Sequence, residues 1–418
     1  MSLMNLLASG DPLYANGVNW VVILIVVIKV LLSFGICLVS VMLMIWGERK
    51  IISDMQSRIG PNRAGPWGMM QTLADGIKLF FKEDLIPDKS SRFVFKLAPF
   101  LSLVPALVVF AIVPLGGVVT IGGYTTEIQV ADPPMGILLA LALSAIGVYG
   151  VMLAGWSSGS KYPLMSSVRA SAQMISYEAA MGMSVLTVVL VTSSLSTRTM
   201  VDSQGGGPWH WNVIRLGVVP FIIFLMAAIA ETNRPPFDVV EADSELVGGF
   251  HTEYSSIRFA LFYLAEFLNT VTMSAIMVTL FFGGPSGWIP PIPHLQWLFP
   301  ILWFVGKTVA FCYLFIWLRG ALPRARYDKL MELGWRRLIP LSLGWMLLVA
   351  GFLVSPWWGL GMIVAIVIGG VILGRAFKLG SELELSDTAV LPPVAKRIVP
   401  PELVRDLSDR DEKDESGS

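Results

Sequence analysis

Residues 18–46 read VNWVVILIVVIKVLLSFGICLVSVMLMIW, 29 positions with a single charge, Lys29. A spanning helix needs roughly 20 predominantly apolar residues, and a bilayer core is about 30 Å thick. At 1.5 Å per residue this run reaches about 43 Å, so it predicts a steeply tilted or protruding transmembrane helix. Eight further apolar runs follow, at about 97–115, 135–154, 165–192, 213–230, 257–283, 297–318, 338–354 and 358–375. The last two are short, with only Ser355, Pro356 and Trp357 between them, and read as a tight hairpin or one re-entrant element. The predicted fold class is all-α, a polytopic membrane helix bundle.

Composition agrees. The chain has 418 residues, 55% hydrophobic and 14% charged, with a mean hydropathy of +0.69. Soluble domains carry about 25% charged residues, and a soluble chain this apolar would lack a wettable surface. Thirty basic and thirty acidic residues cancel, which gives no reason to expect nucleic-acid binding. Cys37 and Cys312 both sit in apolar runs, and no C-x-x-C occurs, so no iron–sulfur, zinc or disulfide framework is expected. His210, His251 and His294 fall between the runs, whereas a haem held between helices needs axial ligands at membrane depth. The chain is therefore expected to bind no metal and no redox cofactor of its own. No basic residue precedes the first run, so no cleavable signal is expected.

The basic residues orient the spans. Of thirty, 26 fall on the loops after the first, third, fifth, seventh and ninth runs; the exceptions are Lys29 and Lys307 inside helices and Arg198 and Arg215 on the far side. The expected topology has the N-terminus outside and the large loops and tail in the cytoplasm. Residues 1–380 form the membrane domain. Residues 381–418, ending LSDRDEKDESGS, read as a disordered or extended cytoplasmic tail. The connector around Gly205-Gly206-Gly207-Pro208 reads as flexible, and there is no soluble domain or sequence repeat.

Two loops carry the chemistry. In the first, Gly60-Pro61-Asn62-Arg63-Ala64-Gly65-Pro66 cannot be helix interior and predicts a shaped turn. An amphipathic helix follows: Met70, Leu73, Ile77 and Phe80 share one face, and Gln71, Asp75, Lys78 and Lys82 another. It either lies in the lipid interface or walls a cavity with Asp75 and Lys78 turned inward. In the second loop, Glu231, Asp238, Glu241, Asp243, Glu245 and Glu253 face only Arg234 and His251. Crowded carboxylates raise one another's pKa values and become poised to exchange protons. Pro235-Pro236-Phe237, Val239, Val240, Leu246, Val247 and Phe250 are interleaved with them, which predicts a packed, cavity-lining segment rather than a solvated one.

Four ionisable residues lie inside predicted spans: Lys29, Glu178, Glu266 and Lys307. Such a charge costs at least about 2.5 kcal/mol at mid-depth. For the lysines, snorkelling or a structural ion pair competes with function. Glu178 follows Gln173 and Tyr177 on a run that also carries Arg169, and Glu266 comes 13 residues after Glu253. The acids thus start in the loop and continue into the bilayer, as a proton or water path would. Structural bridging is the alternative for Glu178 and Glu266.

Five stretches carry a resemblance: GERK (47–50), RIGPNRAGPWGMMQTLADGIKLFFKE (58–83), SKYPLMSSVRASAQMISYE (160–178), AETNRPPFDVVEADSELVGGFHTEYSS (230–256) and LRGALPRARYDKLMELGW (318–335). In order, over roughly residues 18–350, they resemble the quinone-chamber membrane subunit of the proton-pumping NADH–quinone oxidoreductases, respiratory complex I. The resemblance implies eight core transmembrane helices with quinone-chamber loops, and leaves the ninth run and the tail as additions. It implies a bacterial inner-membrane protein that completes a quinone tunnel with the peripheral arm and couples quinone reduction to proton translocation. Electrons would arrive from a 4Fe–4S cluster in a neighbour; FMN and the other clusters also belong to partner subunits, and quinone is the substrate. Implied partners are the peripheral-arm iron–sulfur and quinone-site subunits, and small and antiporter-like membrane-arm subunits.

By the same resemblance, Glu48, Arg49, Arg58, Asp75, Lys78, Arg234 and Phe237 are quinone-binding. Glu178, Glu231, Asp238, Glu241, Asp243, Glu245, Glu253 and Glu266 form the carboxylate path. Arg319, Arg324 and Arg326 form the basic chamber loop. Asp243 stands where the family more usually carries Glu; it keeps the charge and shortens the reach. A membrane subunit of a related energy-converting hydrogenase and a stand-alone proton-coupled transporter are the competing readings. Against the transporter, no Gly/Pro-broken helices recur in matching halves.

Overall fold

The computed structural model describes residues 11–14, 17–121, 123–238, 248–291, 295–366, 368–370, 372 and 375. Glu241, Asp243, Glu245, His294 and the 381–418 tail lie outside the described residues. In chain order the principal helices are α1 Trp20–Met55, α2 Gln71–Phe81, α3 Arg92–Phe110, α4 Gly136–Ser157, α5 Lys161–Thr192, α6 Val218–Glu231, α7 Ser256–Phe281, α8 Leu298–Ala321, α9 Tyr327–Val354 and α10 Pro356–Gly370. Among the described residues seven are long and apolar enough to cross a membrane; α6 and α10 are shorter apolar helices, and α2 is the amphipathic one. Each of the nine expected runs holds a helix. The chain falls into two units, Met1–Leu353 and Val354–Ser418, and α10 belongs to the second.

Helix ends differ from the expected runs for local reasons. The first helix continues past Trp46 to Met55, because Glu48, Arg49 and Lys50 are good helix formers. It is 36 residues long, about 54 Å, so it outreaches the bilayer core and carries its charged end beyond it. The run expected at 213–230 breaks at Gly217, which has φ +80 and faces the Trp345 ring. A one-turn helix, Asn212–Arg215, precedes the break, and α6 starts at Val218. The basic stretch expected as a loop from 319 to 337 is mostly helical. Arg319 ends α8, and α9 begins at Tyr327 with a π-helical stretch at Leu333–Leu338 that carries Arg336 and Arg337. A feature not anticipated is the hairpin Val118–Ile121 with Tyr124–Glu127, in which Val118 pairs with Glu127. Its signal was present: β-branched residues on either side of Gly122-Gly123.

Within the first unit α7 is the central helix. It packs on α1, α2, α3, α6 and α8, and 83% of its apolar window is buried. Lipid chains are as apolar as the helices, so close packing rather than hydrophobic burial holds such a bundle together. Small residues permit it: a Cβ at Gly150 would overlap Ser102, and one at Gly155 would overlap Ser167 and the Pro163 carbonyl. These glycines bring α4 against α3 and α5. Phe95 of α3 stacks on Tyr254, with ring centroids 4.0 Å apart, which fixes the chain just before α7.

The two intramembrane lysines resolve differently. Lys29 makes an ion pair with Asp11 at 2.7 Å and donates to Thr126 Oγ1 at 3.0 Å, so the structural-pair alternative describes it. Lys307 fits neither alternative. Its ammonium donates to the carbonyls of Phe282, Gly284 and Ser286 at 2.8, 3.0 and 2.8 Å, and lies over the Trp211 ring. It thereby satisfies carbonyls of the turn just past the C-terminal end of α7, where the helix dipole favours a cation.

Candidate functional site

Four charged side chains from four segments meet where α1, α7 and α8 converge. Glu48 is 7% exposed and accepts hydrogen bonds from both Arg234 and Arg319. The Arg234 guanidinium, itself 2% exposed, also pairs through Nε with Glu266 Oε1 at 3.3 Å. Its flat face rests 4.2 Å from the centre of the Phe267 ring. Two carboxylates and two guanidiniums balance. That balance matters, because an unpaired buried charge costs several kcal/mol (about 3–5 when one partner of a buried pair is removed).

The segment after α6 brings Arg234 there. Gln173 Nε2 on α5 donates to the carbonyls of Ala230 and Phe237, both at 2.7 Å, and so holds the two ends of this turn. Phe237 is buried with its ring 5.5 Å from that of Tyr177, and the Tyr177 hydroxyl donates to the Leu330 carbonyl at 2.9 Å. Asp238, 4% exposed, pairs with Arg324 at 3.3 Å, and the Ala325 amide donates to the Pro236 carbonyl at 2.8 Å. The connector between α8 and α9 is therefore stitched to the acidic segment.

Two spaces flank Arg234. One is a cleft of about 350 Å³ lined by Glu48, Arg49, Ile52, Ser53, Arg58 and Arg319. Beside it Arg49 pairs with Asp75 of α2 at 2.6 Å, and Gln71 supports the same carboxylate at 3.1 Å. The shaped turn before α2 forms as expected: Gly68, at φ +77, packs against the Pro61 carbonyl, and the Trp46 indole donates to the Trp67 carbonyl at 3.0 Å. The other space is an inner cavity of about 90 Å³, whose polar lining includes Glu231, Asn233, Asp238, His251, Glu266 and Asn269. Burial pushes the His251 imidazole down to about 4 against the opposing pull of Asp238, so it is neutral at ordinary pH. Burial likewise pushes the Tyr254 hydroxyl up to about 12.

The structure thus brings together Glu48, Arg234, Glu266 and Arg319, with Arg49, Asp75 and Arg58 around the cleft and Glu231, Asp238 and Arg324 around the cavity. Others stand apart. Lys78 is exposed, and its helix turns Leu73, Ile77 and Phe80 outward as well; only the Asp75 side faces inward. Arg326 is exposed and pairs with Asp328 at 3.2 Å. Glu253 lines neither space. Glu178 lines neither. Among the described residues no group of three His, Cys, Asp or Glu could hold a metal ion. The sequence reading passed over Ser144, which donates to Glu231, and Asn269 on α7. Asn269 had a usable signal, an amide three residues past Glu266 in an apolar run. Ser144 had none, since serine is common in membrane helices.

Comparison with known proteins assigns the lineage. The sequence model of the family described as NADH dehydrogenase matches residues 28–350. The H-type chain of NADH-quinone oxidoreductase from Frankia casuarinae is 47% identical over 378 residues, which cover 86% of this chain and 82% of that protein. Its counterpart from Streptomyces avermitilis is 48% identical, over 78% of this chain and 72% of its own length. A counterpart from Koribacter versatilis, numbered as the second of its type there, is 46% identical, over 79% and 97%. The chain with a buried arginine between a surface cleft and an inner acidic cavity belongs to the H-type subunits of NADH-quinone oxidoreductase, as a multi-pass membrane component of complex I.

Proposed function

We propose that this chain forms the membrane side of the quinone-binding tunnel and couples quinone reduction to proton translocation through its buried carboxylates. The observation that carries the reading is Arg234, which touches Glu48 of the cleft and Glu266 of the cavity at once. A quinone enters from the bilayer beside α1 and α2. Its apolar tail follows the exposed apolar faces of those helices, and its head passes the Arg49–Asp75 pair toward a peripheral-arm subunit that supplies the electrons from an iron–sulfur cluster. Reduction to quinol takes up protons along with electrons, so negative charge near Glu48 and Arg319 rises and then falls in each turnover. Arg234 shares its charge between Glu48 and Glu266, so a change at the cleft alters the field at the cavity. Asp238, Glu231, Glu266 and Glu178, with Glu241, Asp243, Glu245 and Glu253 of the same loop, then exchange protons with the membrane arm.

In this reading the N-terminus lies outside, the loop face with Glu48 is cytoplasmic, and the peripheral arm docks on it. Partners are the iron–sulfur and quinone-site subunits on that face and the small and antiporter-like subunits in the membrane. Glu48→Gln tests the reading. It keeps a hydrogen-bond acceptor between the arginines but removes the charge. Quinone-dependent NADH oxidation and proton pumping in membrane vesicles should both fall by about tenfold or more, in line with the loss of a charged hydrogen bond. NADH oxidation with a water-soluble acceptor should persist. Parent-level quinone turnover and pumping in an assembled Glu48→Gln complex would sink the proposal.

A further inference from the structure

The inner cavity extends past Glu231 between α3 and α4, where the carboxylates give way to Ser102, Ser144 and Gly147. The Ser144 hydroxyl donates to Glu231 Oε1. The other oxygen, Oε2, is buried and has no hydrogen-bond partner among the described residues, and the same holds for Ser102 Oγ. Both belong to residues lining this cavity. A water needs roughly 10–15 Å³ of such space, and the cavity offers about 90 Å³, enough for several. Gly147 also lines the cavity, and a Cβ there would meet nothing within 4 Å.

We infer that Ser144 is a positioning residue for the coupled reaction. It fixes Glu231, by one clamped oxygen, at the edge of a water-holding cavity that Ser102 and Gly147 also line. A carboxyl held by a donor is hindered from turning away from the cavity. A proton can then reach Glu231 through water while the carbon skeleton stays still, and leave by the same oxygen. Without the clamp the carboxyl rotates about its last torsion, and the water contact is made only part of the time. The inference rests on the proposed carboxylate path and adds to it the residues that hold one member in place. Neither serine nor the glycine carries charge, so a role confined to charge balance would not involve them.

The test uses the assembled complex in membrane vesicles, with NADH and a decyl-benzoquinone. Ser144→Ala should lower quinone turnover and pumping by about tenfold, the scale of a hydrogen bond to a charged group. It should also move the acidic limb of the pH profile to higher pH, because removing a donor disfavours the ionised carboxyl. Ser144→Thr, which restores the hydroxyl, should recover both. Gly147→Val, which adds bulk to the cavity lining and leaves every polar group in place, should lower turnover without a soluble-acceptor defect. Should Ser144→Ala fail to assemble, Ser144→Cys, with its weaker donor, is read in the same way. Parent turnover and an unchanged pH profile in both Ser144→Ala and Gly147→Val, alongside a deficient Glu231→Gln, would overturn this inference alone. Parent behaviour in Glu231→Gln as well would overturn the carboxylate path beneath it.

Discussion

At the residue scale the site is built by pairing. Arg234 would be ruinously costly in the bundle alone, yet with Glu48, Glu266 and the Phe267 ring it becomes a fixed part of it. His251 takes the opposite course and stays neutral, its imidazole held from the ordinary 6.5 down to about 4 by burial. Among the described residues the groups facing it include Asp238, itself paired with Arg324, and the Phe250 and Phe259 rings. The consequence for stability has a definite sign. Between pH 6.5 and 4 the unfolded chain binds a proton that the folded chain refuses, so folding weakens as pH falls through that window. The contribution is on the order of 3 kcal/mol. His251→Asn should therefore flatten the fall in thermal inactivation temperature between those pH values, as measured on the purified complex. A variant curve as steep as the parent's would show that His251 does not titrate this way.

At the scale of elements, α2 lies beside the cleft, and none of its residues is buried. Its position depends on tethers. Arg49 holds Asp75, and the Ser256 hydroxyl donates to the carbonyls of Leu79 and Lys82 at 3.0 and 2.7 Å, capping the C-terminal end of the helix. The Arg49–Asp75 pair is half-exposed and worth little to stability, about 1 kcal/mol at most. The buried Ser256 cap joins α2 to the start of α7. Ser256→Ala should make the backbone amides of residues 71–81 exchange hydrogen faster, by about tenfold for one lost hydrogen bond. Hydrogen-exchange mass spectrometry of the complex reads this directly, and an unchanged rate would assign the position of α2 to its lipid-facing side instead. Legibility at this scale was uneven. The period of Leu73, Ile77 and Phe80 announced α2, whereas the break at Gly217 depended on Trp345, a residue 128 positions away in the chain.

At the scale of the whole molecule, the bias of 26 basic residues among thirty predicts which face is cytoplasmic. Lys89 and Trp209 are both exposed and stand on opposite predicted sides. A cysteine at Trp209 should react with a membrane-impermeant thiol reagent from outside in intact cells, and one at Lys89 only after the membrane is opened. The reverse pattern would invert the topology and with it the face proposed for the peripheral arm. The nine runs, the all-α class and the amphipathic helix were determined by the sequence itself. In a bilayer each helix satisfies its backbone hydrogen bonds within its own segment, so local composition is enough to define it. The family motifs also pointed to Glu48, Arg234 and Arg319 one by one. Their meeting was decided only by tertiary structure, because Glu48 and Arg319 are 271 positions apart and touch through the rotation and tilt of α1 and α8. Those angles are set by packing against neighbouring helices, which no local window of sequence contains. The same reason separates Asp75, which packing turns inward, from Lys78, which it leaves exposed, and gives Ser144 a role that a serine in an apolar run does not disclose.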